Sequence, residues 1–134
     1  VLDADIYGHS IPPMLGIADA EVTGIDDMIL PVTVGGMKVI SVGMLKQSRD
    51  QVIAWRGPIL DRAIQQFLAD VYWGDLDFLL VDLPPGTGDV AMSLGAKLPN
   101  AEVIVVTTPQ QAAAEVAERA GSIATITGVS WSKR

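Results

Sequence analysis

Phe78-Leu79-Leu80-Val81-Asp82-Leu83-Pro84-Pro85-Gly86-Thr87-Gly88-Asp89 is the stretch whose reading decides the fold. It opens on an apolar run of strand length that is continuous rather than alternating, the pattern expected of a central parallel strand covered on both faces. The run delivers a carboxylate, Asp82, into a Pro- and Gly-rich turn, and a helix is expected from about Asp89 to Lys97. Strand, acid, glycine turn, helix is a sequence with chemical content. A carboxylate fixed at a strand end can hold a water of a Mg²⁺ shell, because Mg²⁺ keeps several waters and takes only one or two protein carboxylates. Gly86 and Gly88 let backbone N–H groups approach an anion, and the helix that follows adds its positive end. The plainer alternative is a capped tight turn.

Outward from this stretch the period of the apolar pattern switches repeatedly. Lys38 to Val42 and Glu102 to Thr107 read as two further strands, rich in Val and Ile. Between Pro58 and Trp73, Ile59, Leu60, Ala63, Ile64, Phe67, Leu68, Val71 and Tyr72 recur at three- and four-residue spacing, which predicts an amphipathic helix with Pro58 in its first turn and Gly74 at its exit. Another helix is predicted from about Gln110 to Thr125, with Thr108 as its cap or, alternatively, as a wall of a base pocket. Asp26 to Gly36 is read as an edge strand. Strands alternating with helices imply an α/β fold with a mostly parallel sheet and flanking helices.

Ligands of such sheets bind beyond the carboxyl ends of the strands. Besides Asp82, the start of the chain fits that place: Val1-Leu2-Asp3-Ala4-Asp5-Ile6-Tyr7-Gly8-His9-Ser10 reads as a strand end followed by two acids one residue apart. Carboxylates there can orient an attacking water or bind a metal's hydration shell, though Asp-x-Asp is also what a solvated turn looks like. His9, the single histidine, reads as a loop residue.

Composition removes several function classes. The chain has 134 residues with 16 Asp plus Glu against 9 Lys plus Arg, a formal net charge of −7, and no basic run to follow a phosphate backbone, so nucleic acid is not an expected partner. Its apolar runs are strand-sized, so no membrane span is expected. With zero Cys there is neither a disulfide framework nor a thiolate ligand, and cytoplasm is the default location. Val1 in place of Met suggests a chain that begins mid-domain.

Taken together, Val1 to Gly8, Trp55-Arg56-Gly57-Pro58, Gln65 to Leu68 with Trp73 to Asp77, Val81 to Asp89 and Thr107 to Gln110 resemble the Mrp/ApbC-type iron–sulfur cluster carrier ATPases, from Val1 to about Ala124. These belong to the deviant-Walker group that also holds the MinD and ParA proteins. The Pro-Pro-Gly-Thr-Gly-Asp and Trp-Gly-Asp-Leu-Asp segments are specific to the carrier branch. The resemblance implies part of a SIMIBI/MinD-like P-loop NTPase domain over residues 1–124, with a divergent tail at 125–134. It implies a homodimeric ATPase that binds ATP with Mg²⁺ and passes a [4Fe–4S] cluster to apo iron–sulfur proteins. By position it makes Asp82 the carboxylate near Mg²⁺ and Gly86 a backbone donor toward the γ-phosphate. Thr87, Gly88 and Asp89 continue that segment. Asp3 and Asp5 become the acids beside the metal and the attacking water, with Asp5, like Asp82, reaching Mg²⁺ through water.

The family's lysine-bearing phosphate loop would lie upstream of Asp3 and its Cys-x-x-Cys downstream of Arg134, so the chain is expected to be a fragment, incomplete for hydrolysis and for holding the cluster. Pro13 stands where relatives usually carry Arg, Gly95-Ala96-Lys97 departs from the usual sequence, and Thr125 to Arg134 leaves the pattern. Two other readings fit less of the sequence. A MinD/ParA-like positioning ATPase needs a membrane helix or a DNA-binding surface. A non-catalytic α/β interaction module would keep the sheet without the site.

Overall fold

The computed structural model describes residues 1–45, 57–85, 89–126 and 130–133. They fall into two compact units, Val1–Pro84 and Pro85–Arg134.

The first unit is built on a four-stranded sheet. Its strands are β1 (Leu2–Asp3), β4 (Val32–Val34), β5 (Met37–Ser41) and β6 (Val81–Asp82), in the order β4-β5-β1-β6. β1 runs parallel to both β5 and β6, whereas β4 is antiparallel to β5. The β4–β5 hairpin closes through Gly35 and Gly36 at φ 57° and 79°, a two-residue turn with both residues left-handed, which glycine adopts without a Cβ penalty. A separate hairpin pairs β2 (Thr23–Ile25) with β3 (Met28–Leu30). The segment expected to give one edge strand therefore gives parts of two hairpins, because Asp26, at φ 54°, and the Gly-Gly pair each reverse the chain.

Apolar burial follows this order. Leu2, Ala4, Val39, Ile40 and Val42 are buried where β1 and β5 have a strand on either side. The long helix α2 (Gly57–Asp70), which follows the short α1 (Ile11–Met14), buries Ala63, Ile64 and Phe67 at helical spacing and packs on β3. It stops short of the predicted Trp73 because Val71 bridges to Ile29 and Tyr72 N–H donates to Ile29 O at 2.8 Å. The Trp73 indole donates back to Phe67 O at 3.0 Å, supplying one of the donors that the helix's last carbonyls lack. The Lys38 ammonium donates to Trp73 O and lies 5.3 Å from the Tyr72 ring centroid.

The expectation for Phe78 to Val81 is corrected. The strand covers only Val81–Asp82, and Phe78 and Leu80 are 84% and 63% exposed. β6 is the terminal strand of its sheet among the described residues, and the exposure of Phe78 and Leu80 shows that the run before it is not covered on both faces.

The second unit contains α3 (Asp89–Lys97), β7 (Glu102–Val105), α4 (Gln111–Ile126) and β8 (Ser130–Lys133). β7 and β8 pair in parallel, and α4, the connection between them, packs on both strands and on α3. A parallel pair needs such a crossover. Ile104 is 55% exposed while its neighbour Val105 is buried, so β7 also alternates where a doubly covered strand was expected. Because α4 begins at Gln111, Thr108 is not its cap.

Candidate functional site

Parallel pairing brings three polar residues level with one another at the carboxyl ends of β5, β1 and β6. Leu2 is in register with Ile40 on one side and Val81 on the other, and Asp3 therefore stands between Ser41 and Asp82. The backbone fixes this register: Leu2 N–H donates to Leu80 O and Ala4 N–H to Asp82 O, both at 2.8 Å, and Ile40 N–H to Val1 O at 3.0 Å.

Asp3 and Ser41 are both 0% exposed. A buried carboxylate is tolerated only when hydrogen-bonded, and this one uses both oxygens. Oδ1 accepts the Asp5 amide and Oδ2 accepts the Ser41 hydroxyl, each at 3.1 Å. The Ser41 oxygen in turn accepts the Gly43 amide at 3.1 Å.

Asp5 is the more accessible acid, and its own loop holds it. Its Oδ1 accepts the amides of Tyr7 and Gly8, each at 3.1 Å, and its carbonyl accepts His9 N–H at 2.9 Å. Gly8 is needed here for clearance, since a Cβ on it would sit 2.4 Å from Asp5 Oδ2. His9 takes the left-handed φ of 34°, and its buried Nδ1 has no partner among the described residues.

Asp82 differs from both. Half-buried, it has no hydrogen-bond donor and no cation on its side chain among the described residues. Its pKa is raised above the ordinary carboxylate value, first by burial and then by the negative charges of Asp3 and Asp5. Asp3 and Asp5 thus add negative charge beside Asp82 at the strand ends. No group of three His, Cys, Asp or Glu side chains among the described residues is arranged to hold a metal ion by itself.

Of the sequence-predicted residues, the structure thus brings Asp3, Asp5 and Asp82 together. Gly86, Thr87 and Gly88 lie outside the described residues, as do Trp55 and Arg56, while Asp89 is the first residue of α3. Ser41 was missed by the sequence reading. Its one signal is its place at the end of the buried Val39-Ile40 run, one residue before Val42-Gly43.

A family model described as ParA: NUBPL iron-transfer P-loop NTPase matches residues 1–131. The chain belongs to this family. Among its relatives, the iron-sulfur cluster carrier protein of Mycobacterium tuberculosis (strain ATCC 25618 / H37Rv) is 65% identical over 124 residues, covering 92% of this chain and 32% of the relative. That of Bacillus subtilis (strain 168) is 45% identical over 124 residues, covering 92% of this chain and 35% of the relative. The chain spans about a third of the length of these carriers. A solved nucleotide-binding protein from Archaeoglobus fulgidus in complex with ADP superposes with a TM-score of 0.76 at 35% identity, over 97% of this chain and 49% of that one. The resemblance to the Mrp/ApbC-type carriers and the α/β P-loop NTPase fold are borne out.

Proposed function

We propose that this chain forms the metal-facing part of the nucleotide site of an ATP-dependent iron–sulfur cluster carrier. One observation carries the reading: Asp82 ends its strand level with the buried Asp3, with its own carboxylate lacking a donor among the described residues and bearing the repulsion of two acids. The carrier names of its relatives and the ADP-bound neighbour support the same reading.

Mg²⁺, when bound, neutralises charge on the phosphates of ATP. Asp82 would accept from water in the metal's shell, and a nearby cation would favour its ionised form. Asp5 has one oxygen tied to the Tyr7 and Gly8 amides, and with the other it would orient a water. Asp3, buried and doubly bonded, keeps Asp5 and the local field in place. By the family resemblance, Gly86 would donate a backbone amide to the γ-phosphate, with Thr87, Gly88 and Asp89 continuing that nucleotide-binding segment. Positioning and electrostatics are most of what phosphoryl transfer asks of a protein.

The [4Fe–4S] cluster is cargo, and the 134 residues contain no Cys, so no cluster ligand is assigned here. Homodimerisation, a cytoplasmic site of action and apo iron–sulfur proteins as clients complete the proposal. Among the described residues, no helix is long and apolar enough to cross a membrane.

The test uses a full-length carrier containing this stretch, with Mn²⁺ in place of Mg²⁺ and NMR detection. MnATP is expected to broaden the amide signals of Asp5 and Asp82 selectively, and metal-free ATP to leave them sharp. Broadening confined to residues elsewhere would remove Asp5 and Asp82 from the metal site.

A further inference from the structure

The loop that carries Asp5 is closed into a ring by a turn belonging to a different strand. Starting at β5, the Ser41 hydroxyl donates to Asp3 Oδ2 and Asp3 Oδ1 accepts the Asp5 amide. The Asp5 carbonyl accepts His9 N–H at 2.9 Å. The His9 ring then lies against Gly43, so closely that a Cβ there would meet His9 Cβ and Cγ at 3.1 Å and Nδ1 at 3.3 Å. Gly43 N–H returns to the Ser41 oxygen, completing the circuit.

We propose that Ser41 and His9 are positioning residues for Asp5, bracing its loop at both ends against the Ser41–Gly43 turn. The assignment of Asp5 to the attacking water rests on the nucleotide reading above; the brace itself does not. Three features favour a built device over incidental packing. Ser41 and Asp3 are the buried polar pair of the first unit's described residues, and burying two polar groups is unfavourable unless each answers the other. His9 holds a left-handed backbone that a non-glycine residue rarely adopts, and it leaves Nδ1 buried without a partner among the described residues. Both costs are incurred where the loop meets the turn. Gly43, finally, is the residue that lets the ring come so near.

A brace of this form makes the two ends of the loop interdependent. Freeing Asp3 Oδ2 at Ser41 loosens the carboxylate that fixes Asp5 N–H, and displacing His9 loosens the Asp5 carbonyl. In either case the Tyr7 and Gly8 amides lose their fixed acceptor.

The experiment is amide hydrogen exchange with proton chemical shifts on the 134-residue chain, comparing wild type with Ser41→Ala, Ser41→Thr and Gly43→Ala. Ser41→Ala and Gly43→Ala are each expected to speed exchange at Asp5, Tyr7, Gly8 and His9 by about fivefold or more, the factor for a hydrogen bond of ordinary net strength. Ser41→Thr keeps the hydroxyl and is expected to restore the wild-type pattern. A purely structural Ser41 would instead perturb its own strand and leave Tyr7 and Gly8 unchanged, which would overturn the proposal. Should Ser41→Ala also unprotect Leu2 and Ile40, the sheet itself has failed. Gly43→Ala, which leaves the buried pair intact, then decides, and unchanged exchange at Asp5 through His9 refutes the brace. Titrating MgATP into a full-length carrier separates the two readings, since coupled loop exchange with no nucleotide response sinks only the nucleotide reading.

Discussion

Asp3 and Asp82 occupy register-matched positions on adjacent parallel strands, yet one carboxylate is buried with a donor on each oxygen and the other has none among the described residues. Negative charge on Asp82 is disfavoured there, and its pKa is raised by burial and by both neighbouring acids. A folding domain gains nothing from such an arrangement.

Removing that charge should stabilise the chain. For an acid whose folded pKa exceeds its unfolded one, the native state binds the proton more tightly, and stability falls as pH rises through the interval between the two values. Asp82→Asn is therefore expected to raise the urea midpoint at neutral pH. The gain should shrink as pH falls through the interval from the raised folded value to the ordinary carboxylate value. Equal midpoints for the two proteins at every pH would show that Asp82 carries no such strain.

Gly8 tests the Asp5 loop directly. A Cβ at that position would lie 2.4 Å from Asp5 Oδ2, closer than real Cβ contacts come, so the Asp5 carboxylate that accepts the Tyr7 and Gly8 amides must shift. Gly8→Ala is expected to cost about 1–3 kcal/mol, in the range of other overpacking changes, and to move the Tyr7 amide signal. Denaturation and one amide spectrum suffice to check both.

Phe67 is the largest fully buried side chain among the described residues, and its carbonyl receives the Trp73 indole. Phe67→Ala should cost about 3–5 kcal/mol through lost transfer energy and the cavity left behind. Trp73→Phe keeps an aromatic ring while removing the indole donor and should cost about 1 kcal/mol, the net worth of an ordinary hydrogen bond. Chemical denaturation that ranks the two in the opposite order would show that the end of α2, not its apolar face, holds the helix.

Much of this was legible in the sequence. Ala63, Ile64, Phe67 and Val71 recur at helical spacing and are buried. Asp82 could be read as a strand-end acid because the apolar run stops at Val81, and Asp3 because Val1-Leu2 reads as a strand end. What was not legible depends on neighbours distant in the chain. An apolar run says that cover is suited to it, not which residues supply it, and so Phe78 and Leu80 were expected inside. Ser41 carries no pattern of its own. It acquires meaning only when β5 and β1 align it with Asp3, 38 residues away. The individual places of Asp3 and Asp5 were likewise indistinguishable in an Asp-x-Asp pair, because only strand pairing shows that β1 ends at Asp3, buried between β5 and β6, with Asp5 in the loop beyond it.

The central claim is that Asp82 and Asp5 serve the metal end of an ATP site. Steady-state ATP turnover by a full-length carrier containing this stretch, measured with Asp82→Asn and with Asp5→Asn, tests it most directly. The account predicts that each substitution lowers kcat by about 100-fold or more, the scale on which lost transition-state electrostatics are felt, while binding of metal-free ATP persists. Turnover unchanged by both substitutions would contradict it, and would leave the sheet and its acids as the frame of a module that does no chemistry.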